Sequence, residues 1–125
     1  MSLRNPIARA KGLGSAKDGV GHWWSQRLTA IALALLTPWF VIFAVGLIGA
    51  DQAAVRDAIA QPLSATLLAA FVLSLFWHAQ LGLQVVVEDY IHGWLELALQ
   101  IVIKFMYALA AIASLLAIGR IVFTA

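Results

Sequence analysis

The sequence predicts an all-α membrane protein of three transmembrane helices, with a cytoplasmic N-terminus and a periplasmic C-terminus. Three observations lead there. Hydrophobic residues make up 63% of the chain and charged residues 11%, with a mean hydropathy of +0.94, far from the balance of a soluble domain. Three apolar stretches, 28–49, 62–87 and 95–123, each reach the roughly 20 residues that a helix needs to cross a bilayer. Arg4, Arg9, Lys11, Lys17 and Arg27 all precede the first stretch. The connection after it holds Arg56 beside Asp51 and Asp57, and the next holds Glu88, Asp89 and Glu96 with no Lys or Arg. Basic residues accumulate on the cytoplasmic side of spans, which sets the expected orientation.

Each element has a local reason. Residues 1–27 form a cytoplasmic arm and border, and the glycine and basic content of 1–21 suits an extended or irregular segment. His22-Trp23-Trp24 then falls where the interfacial aromatic belt lies. The first apolar stretch starts only at Leu28 and has full spanning length, unlike the short apolar region of a cleaved signal peptide. Pro38, after Thr37, predicts a kink without a break, because neighbouring groups in a membrane bundle can satisfy the freed carbonyl. Residues 51–60 read as a short amphipathic helix on the outer surface. Pro62 suits the first turn of the second span, where its missing N–H costs nothing. Gly93 separates the second span from the third and Trp94 anchors the return. The last two stretches exceed the minimum length, so tilt or protrusion is expected. With 125 residues, the chain has room for a single membrane-anchor domain, 1–125. Gly46, Gly49, Gly82 and the alanine-rich faces let other helices approach closely, which points to a partner chain.

Much chemistry is excluded. The absence of cysteine rules out disulfides, thiolate nucleophiles and any iron–sulfur cluster ligated by this chain. No glycine-rich phosphate cradle, Ser/His/Asp set or metal-cluster motif occurs. His78 stands out instead, because an ionisable side chain inside a span is costly and marks function by default. A neutral imidazole ligates haem iron. His22 and His92 both lie at the membrane borders, so a haem held by two histidines would take its other ligand from another subunit. The alternative is a structural histidine hydrogen-bonded towards a neighbouring helix, for instance by way of Ser74. Asp89 follows His78 by eleven residues, about three turns, on one helix face and roughly 16 Å along the axis. Gly82 lies between them, where it either makes room for a flat macrocycle or admits a neighbouring helix. Asp89-Tyr90 ends the span as a carboxylate–phenol pair. Arg27 can grip carboxylates, haem propionates included, or snorkel to lipid headgroups. With three spans, Arg27 and the Asp89-Tyr90 corner are expected at the same cytoplasmic face. Glu96, Gln100 and Lys104 form a polar stripe suited to interhelical or headgroup hydrogen bonds.

Taken together, His78-x-x-x-Gly82 with Asp89-Tyr90, after His22-Trp23-Trp24-Ser25-Gln26-Arg27-Leu28-Thr29-Ala30, resembles the small hydrophobic anchor subunit of succinate dehydrogenase (complex II). The likeness spans the whole chain and is most specific in the second span. In that family of cytochrome b-containing succinate:quinone oxidoreductases, a flavoprotein subunit oxidises succinate and an iron–sulfur subunit carries the electrons. Two membrane anchors hold haem b and ubiquinone, joining the tricarboxylic acid cycle to the respiratory chain. The resemblance implies that His78 is one axial ligand of the haem b iron and that a cytochrome b anchor subunit supplies the other. It implies that Tyr90 hydrogen-bonds a quinone carbonyl with Asp89 beside it, and that Arg27 approaches the haem propionates. It also implies a multi-pass location in a bacterial inner membrane among lipids and no succinate-oxidising chemistry in this chain. The slight positive balance sits on the cytoplasmic arm and reflects topology, so no nucleic-acid partner is expected. The paired Trp23-Trp24 departs from the family pattern. Two rival readings stand beside it: a fumarate reductase anchor, and a non-redox membrane assembly or transport subunit in which His78 is structural.

Overall fold

The structure, a computed structural model, describes residues 16–124. Four helices follow one another: α1 (Ala16–Gly46), α2 (Gln52–Ala60), α3 (Pro62–Tyr90) and α4 (Trp94–Thr124), with no strand among the described residues. The all-α prediction holds, and α1, α3 and α4 are each long and apolar enough to cross a membrane.

The helix limits follow from local chemistry. α1 begins at Ala16, so residues 16–21, expected to be extended or irregular, are helical, as are His22 to Arg27. Gly19 and Gly21 lie inside this helix although each costs about 1 kcal/mol there relative to alanine. Arg4, Arg9 and Lys11 of the expected arm lie outside the described residues. The helix continues unbroken past Pro38 and gives way to a turn whose Gly49 takes φ +82°. Asp51 caps α2 by accepting a hydrogen bond from the Ala54 N–H at 2.8 Å. Pro62 occupies the first turn of α3, as its lack of an N–H allows. At the other end α3 includes Glu88, Asp89 and Tyr90, the Ile91 N–H closes the last turn onto Val87 O at 2.9 Å, and Gly93 at φ +78° reverses the chain into α4.

α3 is the centre of the arrangement. It packs against α1 on one side and α4 on the other, and those two do not touch each other among the described residues. α2 bridges α3 and α4 at the end where the first turn lies. Phe40 of α1 stacks on Phe71 with ring centroids 4.5 Å apart, and Phe76 meets Tyr107 of α4 at 6.1 Å. The buried apolar residues are Leu68, Phe71, Leu81 and Val87, all from α3, and Thr29 of α1 is buried with them. Leu35, Ile42, Leu109 and Leu116 stay exposed. In water such a flat layer would be unstable. In hydrocarbon, exposed leucine costs nothing and helices associate through close packing and interhelical hydrogen bonds. A layer one helix thick also cannot enclose a large flat ligand by itself.

Candidate functional site

The polar contacts between α1 and α3 gather on one face. Thr29 Oγ1 lies 3.0 Å from His78 Nδ1, and it also sits 2.8 Å from the Ser25 carbonyl and 3.1 Å from that of Gln26. Thr29 is only 6% exposed. Seven residues earlier on α1, His22 Nε2 donates to Leu81 O at 3.2 Å. Between them Gln26 faces Gly82: a Cβ added at the glycine would meet Gln26 Nε2 at 3.9 Å. Gln26 Oε1 is buried without a hydrogen-bond partner among the described residues. Antiparallel helices with their small and polar residues facing each other explain this register.

His78 precedes Tyr90 by twelve residues, about 18 Å of helix, which is mid-depth in a hydrocarbon layer some 30 Å thick. Its ring does make an interhelical bond, to Thr29 and not by way of Ser74. That bond uses one ring nitrogen. Nε2 has no hydrogen bond among the described residues. His22, in contrast, is inside α1 and its Nε2 is committed to a backbone carbonyl. No group of three or more His, Cys, Asp or Glu is assembled among the described residues.

The charged candidates are placed differently from expectation. Because Gln26 faces Gly82, Arg27 lies near the level of Leu81, about nine residues or ~14 Å from the Tyr90 end of α3. It therefore shares a depth with His78 more than with the Asp89-Tyr90 corner, the result of α1 starting well before Leu28. The Arg27 guanidinium carbon is 5.3 Å from the centre of the Trp23 ring, a cation–π contact one turn apart. Trp23 in turn meets Trp24 edge-on at 5.1 Å, while Arg27 itself stays exposed. Tyr90 is 80% exposed and Asp89 is exposed too, and no hydrogen bond or ion pair joins either to Arg27 among the described residues.

On the opposite side α3 carries a polar ladder. Gln80 donates to Gln84 at 3.2 Å and Gln84 to Glu88 at 2.9 Å, while Gln100 of α4 donates to Gln84 O at 3.1 Å. Gln100 thus makes an interhelical bond, and exposed Lys104 lines a recess of about 360 Å³ between α3 and α4 with Trp77, Gln80 and Tyr107. Thr29 and the Gln80–Gln84–Glu88 ladder were not singled out from sequence. The signal for Thr29 was available: His22, Ser25 or Gln26, and Thr29 recur every three or four residues, a small-and-polar face on an otherwise apolar helix.

Residues 1–117 match the family described as the succinate dehydrogenase/fumarate reductase transmembrane subunit. The chain belongs to this family. A succinate dehydrogenase hydrophobic membrane anchor subunit of Rickettsia bellii is 36% identical over 117 residues, covering 93% of this chain and 94% of that protein. Its counterpart in Paracoccus denitrificans is 34% identical over 93 residues, 74% of this chain and 72% of that one. A succinate dehydrogenase membrane anchor subunit of Reclinomonas americana is 33% identical over 81 residues, 62% of this chain and 67% of its own. No solved structure matches. With three helices capable of spanning a bilayer, this member of the family is a multi-pass membrane protein.

Proposed function

We propose that the chain is an anchor subunit of a bacterial succinate dehydrogenase in the inner membrane, supplying one axial ligand to a shared haem b and part of a ubiquinone site. The observation that carries this reading is His78, an imidazole at mid-membrane depth whose Nδ1 is held by Thr29 and whose Nε2 is left for a metal. Two features of the surroundings are compatible with such a group. A methyl at Gly82 would touch only Gln26, so space remains beside the helix there, and Gln26 Oε1 is a buried acceptor with capacity to spare.

A bound haem b would supply a one-electron centre between the iron–sulfur subunit and the quinone. The residues of this chain do the rest. His22 is occupied by Leu81 O and His92 lies beyond the end of α3, so a second histidine for a haem held by two would come from the cytochrome b anchor subunit. Arg27, at the depth of His78, offers a planar guanidinium to a propionate carboxylate. Tyr90 holds a hydroxyl at the end of α3, where its O–H can donate to a quinone oxygen as negative charge builds there. Asp89 beside it orients that donor or passes protons from the cytoplasmic side. The iron–sulfur and flavoprotein subunits would dock at this same end.

The test is the visible spectrum of the purified complex. The reading predicts b-type haem bands that copurify with this chain. Their absence from a fully assembled complex would favour a non-redox anchor with a structural His78. Relatives named succinate dehydrogenase support that direction of catalysis over fumarate reduction.

A further inference from the structure

We infer that Thr29 is a positioning residue for His78: it locks the imidazole in the tautomer with hydrogen on Nδ1 and so keeps Nε2 as the lone-pair nitrogen. This rests on the reading of His78 as a haem ligand and adds the residue that makes it one.

The inference comes from counting hydrogens. A threonine hydroxyl has one hydrogen and two lone pairs. Two backbone carbonyls, of Ser25 at 2.8 Å and Gln26 at 3.1 Å, crowd Oγ1 from the preceding turn. Carbonyl oxygens only accept, so at these separations the hydroxyl hydrogen must point back to them, the usual bond of a helical threonine. What faces His78 Nδ1 at 3.0 Å is then a lone pair, and the nitrogen must be the donor. Turning the hydroxyl towards the ring instead would set oxygen lone pairs against both carbonyls. Burial of Thr29 leaves no water to relieve that repulsion. In a neutral imidazole the hydrogen sits on one nitrogen, so Nε2 is bare. Metal-bound histidines regularly donate their other N–H to such a partner, which fixes the ring and strengthens it as a ligand.

The decisive experiment needs no haem. The full chain has three histidines, so 15N-histidine labelling in lipid bilayers gives a readable nitrogen spectrum, with His78→Ala identifying the ring in question. His78 is expected to show a protonated Nδ1 and a bare Nε2. Thr29→Val, which keeps the shape and removes the hydroxyl, should shift the ring towards the Nε2–H form, and Thr29→Ser should restore the original pattern. In the assembled complex, Thr29→Val should weaken haem retention about 10- to 100-fold. It should also raise the haem midpoint potential, because a ring that no longer donates from Nδ1 is a poorer donor to ferric iron. Thr29→Ser should reverse both effects. A wild-type ring carrying its hydrogen on Nε2 overturns the inference, as does a Thr29→Val protein with unchanged tautomer. Should Thr29→Val fail to fold, the wild-type spectrum alone decides. A complex without haem would sink the ligand reading while the tautomer result still stands on its own.

Discussion

Thr29 Oγ1 and His78 Nδ1, 3.0 Å apart and 49 residues apart in sequence, tie the first spanning helix to the second, beside the bond from His22 Nε2 to Leu81 O. The pair fixes the depth of the imidazole and the register of α1 on α3 together. Gln26 then faces Gly82, and Arg27 falls near the level of the histidine.

Tyr90→Phe should slow quinone reduction strongly while succinate oxidation with an artificial dye acceptor stays nearly intact. Removing one donor to a developing oxyanion costs about 10²–10³ in rate at the upper end, and less where other donors remain. Parallel assays of the two activities, with haem content as the assembly control, check it. Equal loss of both activities would signal failed assembly, and unchanged quinone reduction would reduce Tyr90 to an interfacial belt residue.

Gly82 separates two uses of a small residue. A methyl there makes ordinary contact with Gln26 at 3.9 Å, so Gly82→Ala should leave the α1–α3 packing and complex assembly intact. If the space serves a macrocycle, Gly82→Leu should lower haem content per assembled complex. Equal haem in all three forms would make this glycine irrelevant to the cofactor.

Gly93 should tolerate change poorly for a backbone reason. At φ +78° an L side chain is strained by roughly 1–2 kcal/mol, so Gly93→Ala should lower the thermal midpoint of the complex, with Gly93→Asn milder. Thermal melts of the three proteins decide it. Equal midpoints would mean that the turn relaxes freely.

The helices were legible because their signals are local. Hydropathy marks a span without reference to its neighbours, and Pro62 and Gly93 punctuate the chain where their backbone constraints fit. His78 was legible because a membrane imidazole is costly wherever it lies. Thr29 was not, since a threonine in a span is cheap and its meaning appears only when α3 lies alongside. The placement of Arg27 was missed for a related reason. The start of α1 is written in glycine-bearing, weakly helical sequence, yet the helix runs from Ala16. Of the Trp23-Trp24 pair, opaque in sequence, Trp23 gains a contact in the fold, with the Arg27 guanidinium one helical turn away.

The basic residues that precede the first apolar stretch lead us to expect a cytoplasmic N-terminus, and a reporter fused after Ala125 tests it. The fusion should report a periplasmic C-terminus, placing Tyr90 and Trp94 at the cytoplasmic face. A cytoplasmic signal would move the proposed quinone site to the other side of the membrane.

The most direct test of the account is the low-temperature electron paramagnetic resonance spectrum of the assembled complex before and after His78→Ala. Wild type should show a low-spin ferric haem with two axial imidazoles, one from this chain and one from its partner anchor. The variant should lose that signal, giving high-spin haem or none, while dye-linked succinate oxidation persists. A low-spin bis-imidazole spectrum unchanged in His78→Ala would contradict the account at its centre.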